Sequence, residues 1–284
     1  MKRYKEVLKE AEASLSISGQ ETRIASILLE EMFGLTLSQL MIHENDAMPQ
    51  ADYDYLMEVI DRVNENEPYQ YVLGEAYFYD TYFKVTSDTL IPRPETEELV
   101  YYVLKNESDH GLQVADIGTG TGAIGLTLAR TWKNNKVTVT DISSEALSVA
   151  KENGVNLGVE VTYKQGDLLT PLKESGCQFD VLISNPPYVS EDETHLMTPS
   201  VLEYEPHQAL FADDDGLALY KKMILTLDDV LTKGGRVYFE IGYAQGAPLL
   251  EFVKDIKQIS NPVIIKDINE QDRILHFTWG EDDD

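Results

Sequence analysis

Short apolar runs alternate with helical patterns through the second part of the chain, from Leu112 onward. Because two parallel strands of one sheet need a long crossover between them, usually a helix, this alternation predicts an α/β fold with a doubly wound, mostly parallel sheet. Helices are predicted from Ala123, from Ser143, over 217–231 and near 248–256. Strands are predicted at 112–117, 137–140, 159–163, 179–184, 236–241, 263–265 and 274–277.

The first seventy residues follow a different pattern, with apolar residues three and four positions apart, as on one face of a helix. A capping box at Ser18-Gly19-Gln20-Glu21 is expected to open the second of three helices. The predicted organisation is a helical domain over 1–68, a β-hairpin linker of aromatic and β-branched residues over 69–92, and an α/β domain over 93–284.

The chain is strongly acidic, with 23 Lys and Arg against 50 Asp and Glu and a formal net charge of −27. Residues 1–90 carry 7 basic against 17 acidic side chains, a net of −10, and the remainder carries 16 against 33, a net of −17. Binding to nucleic acid depends on a basic surface that displaces counterions from phosphates. The charge therefore predicts no direct nucleic-acid partner, and it fits either a basic protein partner or simple solubility.

The sequence has few features that would indicate disulfides, metal sites or membrane spans. The single cysteine, Cys177, excludes an intrachain disulfide and is expected to be a small packing residue. The five histidines lack ligand spacing, so no metal site is expected. No apolar run reaches the roughly 18 residues of a membrane span. We expect a monomeric cytoplasmic protein that does not bind membranes and whose acidic tail, Glu281-Asp282-Asp283-Asp284, is solvated.

A glycine-rich segment lies where the first strand of the predicted sheet meets a helix. Its glycines allow a sharp turn and a close approach of the backbone to a ligand. Asp141, at the end of the second strand, is placed to accept hydrogen bonds from ribose hydroxyls. The sequence therefore predicts a nucleoside-containing cofactor, held by Asp141 and by the loop residues Gly118, Thr119, Gly120, Thr121 and Gly122.

The loop alone leaves the identity of that cofactor open. With Ala123 it also fits the dinucleotide pattern G-x-G-x-x-A, which keeps a nicotinamide-dependent dehydrogenase as an alternative. Two details favour S-adenosylmethionine, which is cationic at sulfur and has no phosphates. Asp116 precedes the glycines and can bind an amino group or shape the loop. Asp167 and Leu168, after the third strand, can meet the adenine amino group and pack on its ring.

The turn Asn185-Pro186-Pro187-Tyr188 directly follows the buried run 179–184. Its prolines fix φ and donate no hydrogen bond, so the Asn185 side-chain oxygen and the Pro186 carbonyl are expected to be held as acceptors. Two acceptors suit the two hydrogens of a planar NH2 group, and Tyr188 can cover its flat face. The turn predicts a site that orients a planar NH2 group, and an ordinary proline turn is the alternative. With S-adenosylmethionine beside it, we expect this site to support methyl transfer without a side-chain base.

Four further side chains lie near the predicted site or in the segments that flank it. Arg93 lies between two prolines on a stiffened backbone, from which it can reach into a neighbouring site. Phe78 is expected either to wall the substrate pocket or to pack within the hairpin. Glu205 and Glu240 are expected to be structural.

Together these motifs resemble those of the N5-glutamine methyltransferases that modify peptide-chain release factors. Asn-Pro-Pro-Tyr alone is less specific, because amino methyltransferases of DNA adenine and RNA guanine share it. The resemblance covers most of the chain and rests on the segments Leu90–Glu97, Asp116–Ile124, Asp141–Ser143, Ser184–Tyr188, Tyr204–Pro206 and Glu240–Gly242.

The resemblance implies a helical domain that docks the release factor and a Rossmann-like methyltransferase domain that converts S-adenosylmethionine to S-adenosylhomocysteine. It implies that the turn 185–188 holds the glutamine of a Gly-Gly-Gln loop, with Asn185 also next to the cofactor. The chain departs from the family at Leu168, where an aromatic residue is common, and at 211–215, where glycines are usual. A nucleic-acid amine methyltransferase and a non-catalytic nucleoside-binding protein are the alternatives.

Overall fold

A computed structural model describes residues 1–280, so the acidic tail of the sequence prediction lies outside the described residues. Contacts divide the described chain into two compact units. The first unit contains Met1–Gly74 together with Thr198–Tyr204, and the second contains Glu75–Met197 and the chain from Glu205 onward. The first unit thus includes the predicted helical domain, six more residues at its end, and a short segment contributed from much later in the sequence.

The first unit is mainly helical, and its core is formed by apolar side chains such as Val7, Leu28 and Leu56. The predicted capping box at 18–21 is wrong, because Ser18 instead ends the first helix and the next begins at Ile24 after Arg23. A side-chain cap of this kind is found at Thr36, which opens a short helix that the sequence pattern missed. The helices are α1 (Tyr4–Ile17), α2 (Ile24–Phe33), α3 (Leu37–Ile42), α4 (Gln50–Asn64), α5 (Tyr69–Leu73) and, late in the sequence, α10 (Pro199–Tyr204).

The second unit contains a two-stranded hairpin and a seven-stranded sheet with helices. The hairpin strands are β1 (Glu75–Phe78) and β2 (Thr81–Lys84). The sheet strands are β3 (Gln113–Ile117), β4 (Lys136–Asp141), β5 (Thr162–Gln165), β6 (Phe179–Ser184), β7 (Leu231–Glu240), β8 (Ile259–Lys266) and β9 (Asp272–Trp279). The helices are α6 (Pro94–Asn106), α7 (Ala123–Thr131), α8 (Ser144–Leu157), α9 (Thr170–Ser175), α11 (Ala218–Ile224) and α12 (Gly246–Val253).

The sheet order is β5-β4-β3-β6-β7-β9-β8. Strands β3 to β7 run parallel, whereas β9 is antiparallel to β7 and to β8. This topology confirms the predicted α/β fold with a mostly parallel sheet. The predicted helix over 217–231 is shorter, since α11 ends at Ile224 and Leu231 already begins β7.

The strand order reverses between β3 and β6, which makes their carboxyl ends the switch point where α/β sheets bind ligands. The Ser184 hydroxyl donates a hydrogen bond to the Ile117 carbonyl over 2.7 Å and ties the two strand ends together. Asp141 and Glu240 end the strands on either side. The glycine-rich loop and the Asn-Pro-Pro-Tyr turn therefore leave the sheet at the same edge, side by side.

The single cysteine and the lengths of the helices complete the description of the fold. Cys177 is exposed, which corrects the expectation that it packs in the interior, because it follows the left-handed Gly176 that ends α9. None of the helices within residues 1–280 combines the length and the apolar character that crossing a bilayer requires.

Candidate functional site

A cavity of about 520 Å³ opens at the carboxyl ends of β3, β4 and β6. Of the residues proposed from sequence, four do not line it: Phe78, Asp116, Gly122 and Tyr188. Those that do line it are Arg93, Gly118, Thr119, Gly120, Thr121, Asp141, Asp167, Leu168, Asn185, Pro186 and Pro187. The fold thus brings most of the predicted site to one concave surface.

The glycine-rich loop places its backbone directly on the cavity. Gly118 and Gly120 have φ values of 69° and 55°, in the left-handed region that glycine tolerates best. Both glycines line the cavity, and a Cβ added at either position meets no protein atom within 4 Å, so the space beside them is open. Gly122 acts differently, because its added Cβ stands 2.5 Å from Leu126 Cδ1. Gly122 shapes the turn into α7 without lining the cavity.

Asp141 joins the end of β4 to the glycine-rich loop. Its Oδ2 accepts a hydrogen bond from the Gly120 amide, and its Oδ1 accepts one from the Ser143 amide, both over 2.9 Å. Burial raises the pKa of this carboxyl, and the backbone donors partly oppose the rise. Each oxygen keeps acceptor capacity for a ligand hydroxyl in the cavity.

Asp116 lies beneath the loop, fully buried in β3. Its Oδ2 accepts hydrogen bonds from the Thr119 hydroxyl over 2.5 Å and from the Gly125 amide over 2.9 Å. Burial raises its pKa to about 6, and its Oδ1 is buried without a hydrogen-bond partner. Asp116 does not line the cavity, so its geometry favours loop shaping over direct contact with a ligand.

Asp167 and Leu168 form another part of the cavity wall. Leu168 has a φ of 47°, a conformation that costs a non-glycine residue free energy and often marks a functional site. The Asp167 carboxylate forms a salt bridge with Lys222, and both side chains are about half exposed. Gly166, just before them, donates its amide to the Asp141 carbonyl over 2.9 Å, which connects this wall to the end of β4.

The Asn-Pro-Pro-Tyr turn is fixed at its first side chain. Asn185 Nδ2 donates a hydrogen bond to Thr96 Oγ1 over 3.1 Å. This contact uses the amide nitrogen of Asn185 and leaves Oδ1 as the group available to a ligand. Thr96, in the first turn of α6, is buried and lines the cavity. The sequence prediction missed Thr96, whose signal is a single threonine among the acidic residues of 95–98.

The turn is also held at its last residue. The Tyr188 carbonyl accepts a hydrogen bond from Gln245 Nε2 over 3.0 Å. Gln245 Oε1 in turn accepts a hydrogen bond from the Gly242 amide over 2.9 Å. An added Cβ at Gly216 stands 2.0 Å from the Tyr188 carbonyl oxygen, so only glycine fits there. The half-buried Tyr188 ring packs against the core, and burial raises its pKa to about 12, so the phenol stays protonated.

The loop 211–215, where a departure from the family pattern is expected, reaches the same place. Phe211 pairs with Val189 through an isolated bridge and lines the cavity. Asp214 and Asp215 have φ values of 60° and 52°, so the backbone takes left-handed turns here without glycine. Gln245 Nε2 also donates to the Asp215 carbonyl over 3.2 Å. The loop therefore braces the turn that contains Asn185.

Arg93 and Phe78 lie in different surroundings. Arg93 lines the cavity and donates from its guanidinium to Glu205 Oε1 over 2.6 Å, with Glu205 buried. Phe78 is completely buried in the core of the second unit, where its ring makes an edge contact with Phe83. This placement agrees with the alternative that Phe78 packs within the hairpin and is against its walling the substrate pocket, because no part of its side chain is accessible.

Comparison with known proteins agrees with this geometry. Residues 96–213 match the family described as Methyltransferase small domain, and residues 6–74 match the one described as PrmC N-terminal domain. The release factor glutamine methyltransferase of Enterococcus faecalis (strain ATCC 700802 / V583) is 42% identical over 273 residues, covering 96% of this chain and 98% of that protein. The chain belongs to the release factor glutamine methyltransferase family. A Staphylococcus aureus (strain NCTC 8325 / PS 47) member is 40% identical over 279 residues, covering 98% and 100%.

Solved structures support the methyltransferase fold. A methyltransferase from Pyrococcus furiosus matches with a TM-score of 0.51 and 22% identity, covering 70% of this chain and 89% of that one. The hMettl16 catalytic domain in complex with MAT2A 3'UTR hairpin 6 matches with a TM-score of 0.55 and 18% identity, covering 71% and 76%. At these identities the likeness concerns the fold alone. Fold and family agree that the chain is a methyltransferase.

Proposed function

We propose that this protein transfers a methyl group from S-adenosylmethionine to the side-chain amide nitrogen of the glutamine in the Gly-Gly-Gln motif of peptide-chain release factors. The observation that carries the proposal is the hydrogen bond from Asn185 Nδ2 to Thr96, which turns Asn185 Oδ1 into a fixed acceptor beside the cavity. Family membership over nearly the whole chain supports the substrate class.

The residues on one side of the cavity fit S-adenosylmethionine. Gly118 and Gly120 leave open space where side chains would stand, so a ligand can approach the backbone closely. Asp141 presents carboxylate oxygens suited to ribose hydroxyls, and we assign Asp167 and Leu168 to the adenine and Asn185 to the junction of the two ligands. All four residues line the cavity. When bound, the cofactor supplies an electrophilic methyl group on a positively charged sulfur, which keeps the C–S electron pair as the C–N bond forms.

The turn 185–188 orients the substrate amide. A carboxamide nitrogen is a weak nucleophile because its lone pair is delocalised, so positioning must supply much of the rate. Asn185 Oδ1 and the Pro186 carbonyl accept its two hydrogens and point the nitrogen toward the methyl group. Such positioning contributes on the order of 7–11 kcal/mol in favourable cases. The same acceptors stabilise positive charge that develops on nitrogen, which then releases one proton to solvent.

The remaining assignments concern the surroundings of the amide. Tyr188 stays protonated and its ring packs against the core beside the turn, while Pro187 and Arg93 border the substrate side of the cavity. Residues 1–68 dock the release factor, residues 69–92 link the two parts, and residues 93–284 carry the chemistry. The acidic surface suits a protein partner better than nucleic acid, and the enzyme acts as a cytoplasmic monomer.

The test is to incubate the purified protein with S-adenosylmethionine and a release factor, then to locate the added mass by tandem mass spectrometry. One methyl group on the glutamine side-chain nitrogen is expected, and a release factor with that glutamine replaced by alanine should gain none. A parallel reaction offers DNA and RNA in place of the release factor. Methylated nucleic acid with an unmodified release factor would reject the proposal.

A further inference from the structure

A buried carboxylate lies behind the Asn-Pro-Pro-Tyr turn, at the end of β7. Glu240 is only 1% exposed, and its Oε2 has no hydrogen-bond partner. The nearby Thr96 hydroxyl favours the charged form of this carboxylate and so lowers its pKa. The sequence suggested a purely structural role, yet an apolar residue at this position avoids the cost of burying a charge. Its partner Thr96 is the residue that holds Asn185.

The three side chains form a relay with a defined direction. A threonine hydroxyl has one hydrogen to donate, whereas an ionised carboxylate only accepts. When Glu240 is ionised, the Thr96 hydrogen points to Glu240, and Thr96 Oγ1 is left to accept from Asn185 Nδ2. The amide of Asn185 then has a single favoured orientation, with Oδ1 turned away from Thr96.

We propose that Glu240 is a positioning residue for the methyl transfer, acting through the Thr96 hydroxyl to set the side-chain amide orientation of Asn185. This inference rests on the proposed function, in which Asn185 Oδ1 accepts a hydrogen of the substrate amide. If the Asn185 amide rotates by half a turn, an NH2 group faces the substrate NH2 group, and two donors oppose each other. The relay prevents that arrangement and acts on turnover more than on cofactor binding.

The charge state of Glu240 gives the relay a pH dependence. Burial raises the pKa of Glu240 to about 7, and the hydrogen bond from Thr96 and the charge of Arg273 oppose the rise. Below that pH the protonated carboxyl can itself donate to Thr96, which releases the hydroxyl from its fixed direction. The other titratable groups that act on Glu240 are Arg93 and Glu95 at the start of α6, Arg273 on β9, Tyr188 and Tyr220.

The first experiment compares Thr96→Val with Thr96→Ser. Valine keeps the shape but removes the hydroxyl, so kcat for release-factor methylation is expected to fall by up to about 100-fold, the scale of a misplaced reactive group. Serine restores the hydroxyl and is expected to recover most of that loss. The dissociation constant for S-adenosylmethionine and the KM for the release factor should stay within about 3-fold of the unsubstituted values.

Thr127→Val is the matched control, because Thr127 is equally buried, its hydroxyl has no hydrogen-bond partner, and it does not line the cavity. Its kcat should equal that of the unsubstituted enzyme. If Thr96→Val has the same kcat as Thr127→Val, the relay is overturned. If the unsubstituted enzyme leaves the release factor unmethylated, the proposed function fails first, and with it the role assigned to the relay.

Glu240→Gln provides a second test that does not depend on the folding of Thr96→Val. Glutamine can accept from Thr96 but does not titrate, so turnover should persist while its pH dependence changes. In the unsubstituted enzyme kcat is expected to fall by about 10-fold per pH unit below about pH 7, and in Glu240→Gln this fall should be absent. An identical acidic limb in both proteins would remove Glu240 from the relay.

Discussion

On the cofactor side of the cavity, the hydrogen bonds that hold the glycine-rich loop join residues nearer in sequence. Thr119 and Gly125 donate to Asp116 across 3 and 9 positions, and Gly120 donates to Asp141 across 21. On the substrate side the supporting contacts join distant segments. Asn185 reaches Thr96 across 89 positions, and Gln245 reaches Tyr188 across 57. One side is a local motif, whereas the other exists only when several strand ends have been assembled by the fold.

This difference predicts that the two sides fail in different ways. Changes in the glycine-rich loop alter a surface that the cofactor touches, so they should appear as lost cofactor affinity. Changes around the turn 185–188 leave that surface intact and disturb the direction of hydrogen-bond acceptors, so they should appear mainly in kcat. The comparison is contradicted if loop variants mainly lower kcat, or if turn variants mainly lower cofactor affinity.

Gly120→Ala should give the largest effect on cofactor affinity. Gly120 lines the cavity, an added methyl group meets no protein atom within 4 Å, and the φ of 55° strains any residue other than glycine. The dissociation constant of S-adenosylmethionine, measured by calorimetry, should rise by about 100-fold or more. Gly158→Ala is the control, because Gly158 has a φ of 66° but lies at the end of α8, away from the cavity. An equal loss in both variants would attribute the effect to backbone strain alone.

Asp141→Ala should give the next largest effect, again in affinity. It removes the acceptor that anchors the Gly120 amide as well as the one proposed for ribose hydroxyls. Hydrogen bonds to a charged group contribute about 1.5–3 kcal/mol, which corresponds to a rise of roughly 10- to 100-fold in the dissociation constant. Asp141→Asn, which keeps an oxygen acceptor, should lose less. Unchanged affinity in Asp141→Ala would remove the ribose assignment.

Gly216→Ala tests the substrate side and should give the smallest change. Its Cβ would overlap the Tyr188 carbonyl oxygen and the Gln245 side chain, so the turn has to shift. We expect kcat to fall by about 10-fold while cofactor affinity stays close to that of the unsubstituted enzyme. Gly176→Ala, with a similar φ of 66° and no nearby atoms, controls for backbone strain. Lost cofactor affinity in Gly216→Ala would contradict the separation of the two sides.

The same contrast explains what the sequence could predict. Parallel strands, the glycine-rich loop and Asp141 follow from local patterns, because strand, turn and helix are adjacent in the chain. The Asn-Pro-Pro-Tyr turn was equally visible, since two prolines restrict the backbone whatever surrounds it. The cavity indeed contains the loop and the turn side by side.

The partners that support Asn185 and Tyr188 were not predictable in this way. Thr96 and Gln245 belong to segments that reach the turn only through the sheet order, which no local pattern encodes. Phe78 could not be assigned from sequence for a related reason. The sequence around an aromatic residue is the same whether its side chain points into the cavity or into the core. Here it is fully buried.

The most direct test of the account is the single-turnover rate of Asn185→Ala at saturating S-adenosylmethionine and release factor. Alanine removes the acceptor oxygen and leaves the rest of the turn in place. The rate should fall by at least about 100-fold. Cofactor affinity should change by less than about 10-fold, because Gly118, Gly120 and Asp141 still form the other side of the cavity. A rate close to that of the unsubstituted enzyme would contradict the account.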